Sequence, residues 1–116
     1  MHRFQGIHII LDLYDIASSK LNSINEIEEA IKQGIEKSGA HIVNTYVHQF
    51  IPTGVSIVIV LEESHVSIHT YPERNCAFAD IFTCGTCNPY IIEETICKYF
   101  SCLVNNRQVI HRGDCL

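Results

Sequence analysis

Alternating apolar and polar residues predict the first strand, and isoleucines at helical spacing predict the first helix. From Gly6 to Tyr14 every second residue is a large aliphatic one, the period of a strand with one buried face. Isoleucines then recur at positions 24, 27, 31 and 35, which makes one apolar stripe on a helix. Ser23-Ile24-Asn25-Glu26 has the pattern of a capping box, so the helix is predicted to begin there, and Gly39 predicts its end.

Four extended apolar segments follow this helix, and turn signals such as Pro52-Thr53-Gly54 separate them. Their predicted ranges are 41–50, 55–62, 65–71 and 76–84. Asn88 followed by Pro89 predicts the start of a second helix, which should run to Phe100. Asn105-Asn106 predicts a turn into a last strand at 108–111.

This order of elements predicts an α+β fold in a single domain, residues 1–116. Neighbouring strands joined by short turns imply a mostly antiparallel sheet, and two helices can cover only one of its faces, which gives a two-layer sandwich. The run from Ile57 to Leu61 is apolar at both strand parities. Because both faces are then expected to be buried, a sheet-to-sheet homodimer is the favoured assembly.

Composition narrows the choice of partners and location. The net charge is −5 and there is no block of Lys or Arg, so neither nucleic acid nor an anionic membrane is an expected partner. No signal peptide and no membrane-spanning run is recognisable, so a cytoplasmic protein with free thiols is expected. Cys84 and Cys87 have C-x-x-C spacing, but a structural zinc site needs four ligands, so no metal is predicted.

Reactive side chains are concentrated between Glu62 and Glu73. The hydroxyl of Ser64 could attack the carbonyl of Glu63, convert that amide to an ester, and by elimination leave a pyruvoyl group at position 64. His69 could move the protons, because imidazole titrates near neutral pH. Ser56, on the preceding strand, could donate a hydrogen bond beside the scissile peptide.

Two long motifs in the same region resemble a known family. The runs ESHVSIHTYPE (residues 63–73) and ADIFTCG (residues 79–85) closely resemble the prokaryotic S-adenosylmethionine decarboxylase proenzymes, which are pyruvoyl-dependent. Segments 38–40 and 50–56 resemble the family's middle part. The resemblance implies an α+β sandwich that assembles as a homodimer of cleaved protomers, and an activity that supplies decarboxylated S-adenosylmethionine and CO2 for spermidine and polyamine synthesis.

The resemblance also implies roles for individual residues. The Glu63–Ser64 bond is the one cut, which would give fragments 1–63 and 64–116, and Ser64 becomes the pyruvoyl group that forms a Schiff base with the substrate. His69 would transfer protons in processing, Ser56 would supply a hydrogen bond there, and Cys84 would return a proton to the substrate carbon. The implied substrate contacts are Phe50, Tyr71 and Glu73. The implied chemistry needs neither a metal nor pyridoxal phosphate.

Two alternatives remain at this point. Tyr71 stands where the family usually has tryptophan, and residues 74–76 are more polar than usual, so arginine or ornithine could be the substrate of the same pyruvoyl chemistry. A non-catalytic paralogue, which binds a metabolite or activates a partner enzyme, is the alternative of another class. The presence of both Ser64 and Cys84 argues against it.

Overall fold

Six strands form one antiparallel sheet in this computed structural model, which describes residues 5–102 and 104–113. The strands are β1 Gln5–Leu13, β2 Ile42–Gln49, β3 Val55–Leu61, β4 Ser64–Tyr71, β5 Cys76–Cys84 and β6 Val104–Gly113. Their order across the sheet is β2-β3-β4-β5-β1-β6. Every neighbouring pair is antiparallel, and short connections join β2 to β5 in sequence. The predicted α+β fold class is confirmed.

One face of the sheet carries the core. The predicted stripe on the helix α2 (Ile24–Ser38) is buried at Ile27, Ile31 and Ile35, each at most 2% exposed. This helix packs beside α3 (Pro89–Phe100), and together they cover the apolar side chains of the sheet. The alternation in β1 buries Ile9, Leu11 and Leu13 completely, as the sequence pattern predicts.

The helices differ from the prediction in number and in capping. A short helix α1 (Ser18–Leu21) precedes α2 and buries Leu21. Ser23 stands at the N-cap of α2 but makes no capping hydrogen bond, so the capping-box prediction is wrong in mechanism. Its hydroxyl instead donates to the carbonyl of Ser19 in the short helix, 2.8 Å away. In the described ranges, no helix has both the length and the apolar character needed to cross a membrane.

The last strand is longer than predicted. β6 begins at Val104, so the turn expected at Asn105-Asn106 lies inside it. In the pairing with β1, Asp12 is opposite Asn106 and Leu13 is opposite Val104, which leaves Asn105 as the extra residue of a bulge. The amide of Asn106 donates to the Asp12 carboxylate at 3.1 Å. The asparagine pair therefore marks a break in register rather than the start of the strand.

The opposite face of the sheet has no helices on it. Large apolar side chains are exposed there from strands across the sheet, namely Tyr46, Val60, Phe78 and Ile110. Their strand neighbours of the other parity point into the core, as Ile57 and Ile59 do. Val60 is 37% exposed and Tyr46 is 59% exposed. The described chain thus leaves uncovered the face that the sequence predicts to be buried.

Candidate active site

The predicted scissile bond lies in a tight hairpin turn. Glu62 and Glu63 form the two-residue turn between β3 and β4, and Leu61 pairs with Ser64 across it. Ser64 has φ 154°, a positive value that residues with a side chain rarely adopt. Such a conformation costs on the order of 1–3 kcal/mol and persists only where the surroundings hold it. The sequence therefore places a nucleophilic hydroxyl at a strained turn.

A backbone donor contacts the carbonyl of the same bond. β5 runs beside β4, so Ser64 pairs with Thr83 and the next residue, Cys84, reaches the turn. The N–H of Cys84 donates to the carbonyl oxygen of Glu63 at 3.0 Å. A donor in this position polarises the carbonyl and stabilises negative charge on its oxygen during attack.

The thiol of Cys84 has space over β1 because a glycine occupies the facing position of that strand. Gly6 pairs with Cys84, and a Cβ built on Gly6 would be 3.1 Å from the Cys84 sulfur and 2.5 Å from the Phe82 ring. The absence of a side chain lets both groups lie over the β1 backbone. The guanidinium of Arg112 lies over the Phe82 ring, 4.4 Å from its centroid. Cys84, Phe82, Gly6 and Arg112 line one small cleft.

Ser56 and His69 form a second group. They are opposite each other in the β3–β4 pairing, and the Ser56 hydroxyl oxygen is 2.7 Å from Nδ1 of His69. This pair is five positions along the hairpin from the Leu61–Ser64 pair. At roughly 3.3 Å per residue that is a separation of about 16 Å. Within one chain, the structure does not bring Ser56 and His69 to the Glu63–Ser64 bond.

The predicted substrate residues lie with this second group. Phe50, Tyr71 and Glu73 line a cleft of about 380 Å³ together with Ser56 and His69. The cleft forms where the β2–β3 loop meets the end of β4, and Gly54 closes that loop by accepting from the N–H of Phe50 at 2.8 Å. The predicted residues thus fall into two sets at opposite ends of one hairpin.

Sequence reasoning missed His41. Its Nδ1 is 2.9 Å from Oε2 of Glu63, the residue before the predicted scissile bond. That hydrogen bond, together with the carboxylate charge, raises the pKa of His41. In return, hydrogen bonds from His41, the backbone one first, lower the pKa of Glu63. No local motif signals the contact, because the two residues are brought together by strand pairing.

Cys87 has a packing role in the described structure. Its half-buried thiol donates to the carbonyl of Cys84 at 3.5 Å, and burial raises the pKa of this thiol. It packs against the core on the helix side of the sheet. Cys84 instead contacts Gly6 and Phe82 on the opposite face. The two cysteines of the C-x-x-C pattern therefore have separate surroundings.

Comparisons with known proteins agree with the motifs. A family described as S-adenosylmethionine decarboxylase matches residues 7–113. A Fervidobacterium nodosum protein named S-adenosylmethionine decarboxylase proenzyme is 49% identical over 80 residues, which are 69% of this chain and 58% of that protein. A Symbiobacterium thermophilum protein of the same name is 39% identical over 109 residues, 93% of this chain and 80% of its own length.

A solved structure agrees with the fold. The crystal structure of the adenosylmethionine decarboxylase from Aquifex aeolicus superposes with a TM-score of 0.82 at 25% identity, and covers 99% of this chain and 94% of its own. The matching segments span only about three-fifths of some curated relatives, as in the Fervidobacterium protein. The family match nevertheless covers nearly the whole of this chain. On this evidence the chain belongs to the S-adenosylmethionine decarboxylase family.

Proposed function

We propose that this chain is a self-processing, pyruvoyl-dependent S-adenosylmethionine decarboxylase that acts in the cytoplasm and supplies decarboxylated S-adenosylmethionine for polyamine synthesis. One observation carries the proposal. The Glu63–Ser64 bond lies in a tight turn, with Ser64 at φ 154° and the N–H of Cys84 on the Glu63 carbonyl. Nucleophile, strained turn and oxyanion donor are three of the parts that self-cleavage requires, and a proton-transfer group is the fourth.

Processing follows from these groups. The Ser64 hydroxyl attacks the Glu63 carbonyl carbon, the Cys84 N–H stabilises the oxyanion, and breaking the C–N bond leaves an ester. Removal of the Ser64 Cα proton then expels the Glu63 carboxylate. Hydrolysis of the resulting dehydroalanine releases ammonia and leaves the pyruvoyl group. Relief of the backbone strain at Ser64 favours the first step.

In the decarboxylation, the pyruvoyl group supplies the electron sink for the pair left when CO2 departs. For the return of a proton after CO2 departs, the chain contributes Cys84. Its half-buried thiol lies over Gly6 of the neighbouring strand, and the N–H of the same residue contacts the turn that carries Ser64. A thiol in this position can return a proton to the substrate carbon.

The separation of the two residue sets supports a shared site in a homodimer. Because Ser56 and His69 lie about 16 Å from the scissile bond along the hairpin, we assign them to the site of a second copy. A two-fold axis across the strands, with the uncovered sheet faces in contact, would put the Ser56–His69 cleft of each copy against the Glu63–Ser64 turn of the other. The exposed apolar side chains of that face, such as Val60 and Phe78, favour such a contact.

Substrate-resolved CO2 release tests the activity. S-adenosylmethionine, arginine and ornithine, each labelled in the carboxyl group, are offered to the cleaved protein. We expect release from S-adenosylmethionine alone, in keeping with the names of the similar proteins. Release from arginine or ornithine only would show that S-adenosylmethionine is not the substrate. Cleaved protein that releases CO2 from none of the three would favour the non-catalytic alternative.

A further inference from the structure

His41 makes three hydrogen bonds to the turn that holds the predicted scissile bond. Its carbonyl accepts from the N–H of Glu62 at 2.9 Å. Its own N–H donates to Oε1 of Glu63 at 2.9 Å, and its ring Nδ1 is 2.9 Å from Oε2 of the same carboxylate. The position follows Ala40 at the end of the α2–β2 connection, so the contact ties a helix-side loop to the β3–β4 turn.

Glu63 is consequently held from two sides. Its carbonyl oxygen accepts from Cys84, and both oxygens of its side chain are bonded to His41. The φ of the next residue, Ser64, depends on how this peptide is oriented. A strained conformation is kept only when its neighbours are fixed, so the contacts of Glu63 bear directly on the geometry of attack.

We infer that His41 is a positioning residue for self-cleavage: it holds Glu63 so that the scissile carbonyl stays on the Cys84 N–H and Ser64 keeps its reactive conformation. This inference rests on the proposed self-processing of the chain. His41 touches neither the hydroxyl nor the carbonyl that react, and it acts through the Glu63 side chain.

The charges around this contact fix the sign of its pH dependence. The groups facing the pair in the described residues are the carboxylate of Glu62, 3.8 Å from the His41 ring, and the Cys87 thiol, which senses the charge of Glu63. The pKa of His41 is raised and that of Glu63 is lowered by their contact. The ion pair is therefore complete between these two pKa values. It is lost above the pKa of His41, where the imidazole becomes neutral, and below the pKa of Glu63, where the carboxylate is protonated.

The test is a time course of cleavage after a short pulse of cell-free synthesis, with the products transferred to buffers from mildly acidic to mildly alkaline. The variants are His41→Ala and His41→Gln, and the second keeps an uncharged donor. Asn44→Ala, an exposed substitution in the strand β2 that follows His41, is the matched control. We expect His41→Ala to cleave about two- to fivefold more slowly than wild type, the range for loss of an exposed ion pair. Asn44→Ala should cleave at the wild-type rate.

Two further readouts separate positioning from general stability. The rate ratio of wild type to His41→Ala should be largest where the ion pair is complete and should decline at higher pH, and His41→Gln should lack this dependence. In a Glu63→Gln background the His41→Ala change should have little further effect, because the partner carboxylate is already gone. Decarboxylation per pyruvoyl group should be unchanged in His41→Ala.

The outcomes distinguish this inference from the proposal it rests on. A wild-type chain that never cleaves would refute self-processing itself. A wild-type chain that cleaves, with His41→Ala equally fast at every pH, would refute the role of His41 alone. Slowing that is independent of pH and additive with Glu63→Gln would also refute it, since it would show a general loss of stability.

Discussion

Cys84 contributes two different groups to the proposed chemistry. Its backbone N–H contacts the Glu63 carbonyl, which matters for processing. Its thiol lies over Gly6, where it can serve as the proton donor in decarboxylation. A side-chain substitution removes the second group and keeps the first, so the two reactions are separable at this residue.

We therefore predict that Cys84→Ala cleaves close to the wild-type rate but loses decarboxylation by about 100-fold or more, the usual contribution of a positioned acid. Cleavage is followed by intact mass and decarboxylation by CO2 release per pyruvoyl group. Cys87→Ala is the control, and it should retain both reactions. Loss of cleavage in Cys84→Ala would show that the thiol, and not the N–H, acts in processing.

At the scale of single residues, the sequence predicted those reactive side chains that belong to a recognisable motif. Ser64 and Cys84 were predicted in this way, and the structure places the backbone N–H of Cys84 on the carbonyl of the residue before Ser64. The oxyanion donor and His41 were not predicted. A backbone N–H is the same in every residue, and the contact between His41 and Glu63 spans 22 positions. Both depend on strand register, which alternation alone does not specify.

An ion pair joins the last strand to the helix layer. The guanidinium of Arg107 on β6 makes a two-pronged ion pair with Glu93 on α3, with one contact at 3.0 Å. The Glu93 side chain is only 10% exposed, whereas that of Arg107 is 42% exposed. This pair fixes the helix layer to the strand that ends near the cleft of Cys84.

Removal of the arginine should leave a nearly buried carboxylate without its partner. We predict that Arg107→Ala lowers the free energy of unfolding by about 1–2 kcal/mol, less than for a fully buried pair because solvent reaches the arginine. The measurement is urea unfolding of uncleaved Ser64→Ala chains at one protein concentration. Lys32→Ala, which breaks an exposed pair with Glu28 within α2, should cost at most about 0.5 kcal/mol. Equal effects of the two substitutions would contradict this account of the pair.

The sequence predicted which strands and long helices form, but not their exact bounds or their capping contacts. Strand alternation predicted the sheet, the isoleucine stripe predicted α2, and Asn88-Pro89 predicted the start of α3. The short helix Ser18–Leu21 escaped because four residues are too few for a periodic pattern. The hydroxyl of Ser23 donates to that short helix and does not cap α2. Asn105-Asn106 has the composition of a turn, but it lies inside β6, where Asn105 forms a bulge in the pairing with β1.

At the scale of the whole molecule, one chain presents two half-sites. The turn with Ser64 and Cys84 lies at one end of the β3–β4 hairpin, and the Ser56–His69 cleft lies at the other. The sheet-to-sheet homodimer predicted from the sequence offers a way to unite them. The register of the β3–β4 hairpin, which puts Ser56 opposite His69 and five positions from the Leu61–Ser64 pair, was not predicted from the sequence.

A shared site predicts complementation between two defective chains. A His69→Ala chain should stay uncleaved by itself. Co-expressed with a Ser64→Ala chain that carries a different tag, it should be cleaved, because the partner supplies an intact Ser56–His69 pair. Tag-resolved mass analysis reads which chain is cut. A Ser64→Ala/His69→Ala partner is the control and should not restore cleavage.

Two results would count against the shared site. If the His69→Ala chain cleaved normally without a partner, His69 would have no part in processing. If it stayed intact in verified mixed dimers, then His69 would act within its own chain, and the separation along the hairpin would have to close by movement.

The most direct test of the central claim is the intact mass of the purified wild-type protein. The account predicts two polypeptides, residues 1–63 and residues 64–116, with a pyruvoyl group in place of the amino terminus of the second. The Ser64→Ala variant should remain one chain. A wild-type protein that stays a single polypeptide of 13.2 kDa after prolonged incubation would contradict the claim.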